Sequence, residues 1–138
     1  MAIYPTSEQI AALVAGPDDR PVVMLNLLRF KPQADGDAAS SGEASYERYA
    51  VAMREVVEAE GGRFLWAGKV DSVVIGGPEA EGFDVVGIVE YPSRRKFVEI
   101  ATSERVRKIG GDRTAGLESQ WLLATTTRVL PEREARRG

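Results

Sequence analysis

The 138-residue chain predicts an α+β sandwich, a four-stranded antiparallel sheet carrying two helices on one face, and three observations lead there. Two stretches with helical apolar spacing, residues 46–57 and 97–109, are each flanked by runs of β-branched, aliphatic and aromatic residues. The strand-like runs come in the order strand, helix, strand, strand, helix, strand. The two middle runs are joined only by the turn-forming GGPEAEG of residues 76–82, which suits an antiparallel hairpin.

Element by element, Thr6 with Gln9 makes a capping box ahead of Ile10, Leu13 and Val14, and Gly16-Pro17 stops a short helix over residues 6–16. PVVMLNLLRFKP, residues 21–32, brackets a strand over 22–30 between two prolines, with Asn26 alone in its apolar run. The polar loop KPQADGDAASSG has no apolar period and is expected to be mobile.

Ser40 with Glu43 forms a second capping box, and Tyr46, Tyr49, Met53, Val56 and Val57 continue a helix to Gly61-Gly62. Residues 63–75 read as a strand that bends near Asp71, and residues 83–91 as the next strand. Ser93 caps a helix with Phe97 and Ile100 that restarts at Ser103 and ends at a glycine turn, GGDRTAG, holding Arg113. Residues 120–129 form the last strand, and PEREARRG is a charged tail. This is one domain over residues 1–138: helix 6–16, a ferredoxin-like βαββαβ core at 21–129, and a tail at 130–138.

Composition excludes whole chemistries. The chain has no Cys and no His, which removes disulfides, thiol nucleophiles, iron–sulfur clusters, the Ser-His-Asp triad, and histidine-ligated zinc or haem. No cofactor and no metal site is expected. With 18 Lys and Arg against 21 Asp and Glu, nothing favours nucleic acid or an anionic membrane as a partner. The N-terminus lacks the features of a signal peptide and no stretch is apolar enough to span a bilayer, so a cytoplasmic location is expected.

Alternation divides the strands into two sets. Val23, Leu25, Leu27, Leu65, Ala67, Val86, Ile88, Leu122 and Ala124 are compact and aliphatic, and are assigned to the face beneath the helices. The second set holds Val22, Met24, Asn26, Leu28, Phe64, Trp66, Val89, Tyr91, Trp121 and Leu123, and would stand open to water. An apolar area of that kind exceeds what monomers normally expose, so a second copy is expected to cover it, giving a homodimer that pairs sheet to sheet.

MLNLLRFK at residues 24–31, the pair Tyr46 and Tyr49, Gly61-Gly62-Arg63, VEYPS at 89–93, and Arg113 ahead of Gly116-Leu117 together resemble the domain-of-unknown-function family numbered 1330. The resemblance runs from about residue 21 to 127. It implies membership of the dimeric α/β-barrel superfamily, whose relatives include cofactor-free monooxygenases, haem-degrading enzymes, isomerases and binding proteins. The absence of histidine argues against haem here.

The candidate ligand-binding residues are Asn26, Trp66, Trp121, Arg113 and Tyr49, assigned to a pocket on the open sheet face. A buried amide must find partners, which makes Asn26 either a donor to a ligand carbonyl or oxyanion, or an amide satisfied by a backbone group or by Arg or Thr side chains. A guanidinium suits a carboxylate or phenolate of a ligand, or an ion pair with Asp112, Glu118 or a carboxylate of a partner copy. Tyr49 reads as core packing with a hydroxyl at an edge, and the two tryptophans as interface packing or ligand platforms. Three functions follow: a binder of a small aromatic or carboxylate-bearing molecule, a cofactor-independent monooxygenase or isomerase acting on a phenolic or enolisable substrate, and a structural dimer without ligand.

Overall fold

The computed structural model describes residues 2–130, so the charged tail falls almost wholly outside the described residues. Its elements are α1 (Ser7–Val14), β1 (Val22–Phe30), α2 (Gly42–Ala59), β2 (Arg63–Lys69), β3 (Val85–Tyr91), α3 (Arg94–Ala101), α4 (Glu104–Gly116) and β4 (Leu117–Thr125), with one 3-10 turn at Pro78–Ala80. The sheet order β2-β3-β1-β4, all antiparallel, is the ferredoxin-like arrangement expected.

Local chemistry accounts for most of the boundaries. The Thr6–Gln9 capping box opens α1 with both of its reciprocal bonds present. Ser93 and Ser103 cap α3 and α4 through their side chains. At α2 the cap is Ser41, accepting from the Ala44 amide, one residue beyond the expected Ser40. The helix ends in Gly61, whose φ of 90° lies in the left-handed region that a side chain would oppose.

Three expectations are corrected. β2 stops at Lys69, and residues 70–84 run irregularly apart from the 3-10 turn. The segment after β1 is tied down at both ends: Lys31 N–H donates to Gly116 O, Asp35 N–H to Ala115 O, and Gly42 N–H to Lys31 O. Arg113 lies in the last turn of α4, not in a glycine turn, because the helix continues through Gly110 and Gly111.

Tertiary contact explains the last of these. α2 and α4 cross so closely that a Cβ on Gly116 would sit 2.2 Å from the Gly42 carbonyl oxygen. Ser45, buried in the crossing, donates its hydroxyl to Asp112 O at 2.9 Å. Two glycines lower helix propensity by about 1 kcal/mol each, and burial against α2 outweighs that cost.

The core lies between the helices and the sheet, built from Val22, Met24, Val89 and Tyr91 below and Met53, Val56, Val57 and Ile100 above. Fully burying such side chains stabilises by about 1.5–3 kcal/mol each. This core overturns the assignment of sheet faces. Val22, Met24, Val89 and Tyr91, expected on the open side, are under the helices, and with them goes the whole alternate set of β1 and β3.

The register carries the assignment across the sheet, because directly opposed residues share a face. Leu27 is opposed by Trp121 and Val86, and Leu25 by Leu123 and Ile88, so these six form the open face. A bulge between Phe64 and Trp66 shifts β2, leaving Phe64 packed on the core while Trp66 opposes Ile88 on the open side. There the indole lies over Gly68, where a Cβ would meet it at 2.3 Å.

Candidate functional site

Asn26 belongs to the helix-facing side of β1, opposite Gly87 on one flank and Leu122 on the other. Its Nδ2 donates to Gly87 O at 3.3 Å, and its Oδ1 accepts from Gln120 Nε2 at 2.7 Å. Gln120 Oε1 in turn accepts from Arg113 Nη2 at 2.8 Å. The direction of the chain is fixed at its start. A guanidinium can only donate, so the Gln120 oxygen must turn toward it, which aims the Gln120 amide at Asn26 and the Asn26 amide at the backbone.

Arg113 reaches this position because it sits in the last turn of α4, where the helix descends to β4. Its Nη2 also donates to Ile3 O, and its guanidinium lies 5.1 Å from the centre of the Tyr4 ring. No carboxylate among the described residues pairs with it, so the expected ion pairs with Asp112 or Glu118 are absent. Asp112 is engaged by Arg48 at 3.4 Å instead.

Beside this chain stands a group of phenols. Tyr46 and Tyr49, on the sheet-facing stripe of α2, have ring centres 5.4 Å apart, and Tyr46 continues to Phe30 at 5.3 Å. Tyr91, at the end of β3, packs edge-on against Phe97 at 4.9 Å. Burial pushes all three hydroxyls up, Tyr46 and Tyr91 well above their ordinary value. Mutual repulsion adds to this at Tyr46 and Tyr91, while the charge of Arg113 opposes it at Tyr46 and Tyr49. These phenols are therefore neutral hydrogen-bonding groups near pH 7, not bases.

Tyr49 also borders a cleft of about 430 Å3 between α2 and α4, lined by Arg48, Ala52, Lys108, Ile109, Gly111 and Asp112 as well.

The five residues expected in one pocket are thus divided. Asn26, Arg113 and Tyr49 lie on the helix side of the sheet. Trp66 and Trp121 lie on the open side, 58% and 45% exposed, and share no pocket with Asn26. Gln120, the link between Asn26 and Arg113, was not among the expected site residues, and neither was Tyr91; beside Glu118 and Ser119 in β4, Gln120 does not stand out as a lone amide.

On the open side Arg29 donates to Glu79 O and Glu81 O and to the Ser119 hydroxyl, and its guanidinium covers the Phe83 ring at 3.9 Å. Phe83 meets Trp121 edge-on at 5.1 Å, so Arg29 anchors the 78–83 turn to the sheet. Asp84 accepts from Phe30 N–H at 2.8 Å and Glu90 pairs with Arg63 at 3.1 Å, which gives both carboxylates structural partners. Among the described residues no cluster of acidic side chains is placed to hold a metal, and no helix is long and apolar enough to cross a membrane.

The sequence profile of a family described as Domain of unknown function (DUF1330) matches residues 37–127. A protein of unknown function from Rhodopseudomonas palustris is 33% identical, with a TM-score of 0.82 over 93% of this chain and 98% of its own. A dabb family protein with a ferredoxin-like fold from Mesorhizobium loti is 11% identical, with a TM-score of 0.52 over 80% of this chain and 99% of its own. SnoaB, a cofactor-independent oxygenase from Streptomyces nogalater, is 13% identical, with a TM-score of 0.50 over 82% of this chain and 99% of its own. The last two likenesses are of fold. None of the curated proteins matches the chain.

Proposed function

The chain belongs to the DUF1330 family, and we propose that it binds a small aromatic molecule bearing a carboxylate or phenolate on the helix side of its sheet. The observation that carries this reading is the Arg113–Gln120–Asn26 chain, one cation steering two amides beside three neutral phenols. An anionic oxygen would find a charge-assisted donor in Arg113, and an aromatic ring would find apolar walls in the tyrosines.

The test is titration with benzoate, followed by tyrosine and tryptophan fluorescence and by amide NMR. Saturable shifts at millimolar benzoate or below, lost in Arg113→Gln and absent with benzamide, support the site. Shifts that persist unchanged in Arg113→Gln place binding elsewhere and refute it.

A catalytic reading has one observation in its favour. A phenolate or enolate held at Arg113 would have its charge stabilised by the guanidinium and by neutral hydroxyl donors, an arrangement that lowers barriers to proton loss and to attack by oxygen. Oxygen uptake with a panel of phenols and quinols separates binder from oxygenase: equal, background rates for the wild type and Arg113→Gln remove the enzyme.

Trp66, Trp121 and Leu123 leave an apolar surface on the open sheet face, and we propose that a second copy covers it. The tryptophans then belong to the interface and not to the ligand. Should benzoate and oxygen assays both fail, this dimer without ligand is the function that remains.

A further inference from the structure

Arg113 presents an anomaly. A guanidinium carries five N–H donors, yet the acceptors that Arg113 meets among the described residues are two neutral oxygens, Gln120 Oε1 and the backbone oxygen of Ile3, both on Nη2. A partly buried cation without a counter-charge is poorly compensated, and a carboxylate would serve it better than a peptide carbonyl. The position such an oxygen would take is held by the chain itself.

The residues holding it are weakly fastened. Ala2 O accepts from Gln120 N–H at 3.0 Å, a single ladder-like bond on the edge of β4. The Tyr4 hydroxyl meets Thr114 Oγ1 at 2.7 Å, and its ring covers the face of the guanidinium. None of residues 2–4 is buried, and Tyr4 is 61% exposed. The next segment is firmer, since Arg94 ties down the end of α1 through Leu13 O and Pro17 O.

We propose that residues 2–4 form a strap occupying the anion position at Arg113, and that an anionic ligand enters by displacing it. This rests on the reading of Arg113 as the ligand's anchor. The Ile3 carbonyl stands where a carboxylate or phenolate oxygen would bind, and the Tyr4 ring stands where the ligand would approach. Segments held by few, exposed contacts open at low cost, and affinity falls by the fraction of molecules in which the strap is closed.

The experiment uses the full chain and benzoate as the probe, with two readouts. Tyr4→Ala removes the ring and the hydroxyl bond without touching the core, and is expected to bind benzoate about tenfold more tightly than the wild type, by release of the closed fraction. Saturating benzoate is also expected to speed hydrogen exchange at the Gln120 amide, which loses Ala2 O, where ordinary binding would slow it. Equal or weaker binding by Tyr4→Ala, or slowed exchange at Gln120, overturns the strap and leaves the anion site standing. Absence of benzoate binding in both proteins removes the site and the strap together.

Discussion

Replacing Asn26 by leucine tests whether the amide chain is a connected unit. The change removes the 2.7 Å bond from Gln120 and the 3.3 Å bond to Gly87 O, and leaves Gln120 Nε2 without its acceptor. A hydrogen bond contributes about 0.5–1.5 kcal/mol net, and a part-buried orphan adds to the cost only so far as water cannot reach it. Because Asn26 is half-buried, the low end applies, and the added aliphatic carbon recovers part of the loss; the expected destabilisation is about 1–2 kcal/mol. Gln120→Leu should cost more, about 2–3 kcal/mol, since it also deprives the charged Arg113 of an acceptor. The double variant loses their shared bond only once, so it should fall short of the sum by about 1 kcal/mol. Urea denaturation of the four proteins measures this directly. Additivity to within about 0.3 kcal/mol would show that the two amides do not depend on each other, and the reasoning built on the chain would fail.

Gly116→Ala should be severely destabilising, by more than about 3 kcal/mol, because the new Cβ meets backbone at the α2–α4 crossing; Gly110→Ala, with open space around it, should stabilise by about 0.5–1 kcal/mol, and thermal melts distinguish the two. Tyr46 and Tyr91 should contribute no phenolate absorbance at about pH 11, where a free phenol is some nine-tenths ionised. Their folded values lie above the unfolded value near 10, so the stabilisation from keeping them neutral is whole below about pH 10 and is lost as pH rises beyond it; ordinary titration of both would refute their burial. On the open face, light scattering should give twice the 15.0 kDa chain mass for the wild type and the single mass for Trp121→Lys; a monomeric wild type would remove the dimer.

What could be read without coordinates depended on whether the information was local. Pro21 and Pro32 bracket β1, and its bounds match the expectation. Capping serines and threonine placed the helix starts to within a residue, because a side-chain oxygen bonded two or three residues ahead is a short-range event. The faces of the sheet were not local. Val23, Leu25 and Leu27 are as apolar as Val22, Met24 and Leu28, so alternation in β1 says that there are two faces but not which one meets the helices. That choice is made by registry with β3 and β4 and by the bulge in β2, none of which leaves a mark in sequence. Arg113 was misread for a related reason: glycines at 110 and 111 argue locally for a turn, while the crossing with α2 holds the helix together. The amide at 26 was found, and its partner at 120 was not, because they are 94 positions apart.

The bulge in β2 and the Ala2 carbonyl at β4 fall on the two outer strands of the sheet. Sheets with flat, unpaired margins recruit further strands side by side, and nothing limits that growth. Here one margin is kinked and the other is partly occupied by the chain's own N-terminal residues, so lateral addition is hindered at both. Its broad apolar face remains the accessible route for self-association. Contact through a face closes after two copies, whereas contact through a margin continues into a fibre. The strap's bond to Gln120 therefore has a second consequence: displacing it bares part of the β4 margin, so a ligand strong enough to open the strap would also raise the protein's tendency to aggregate.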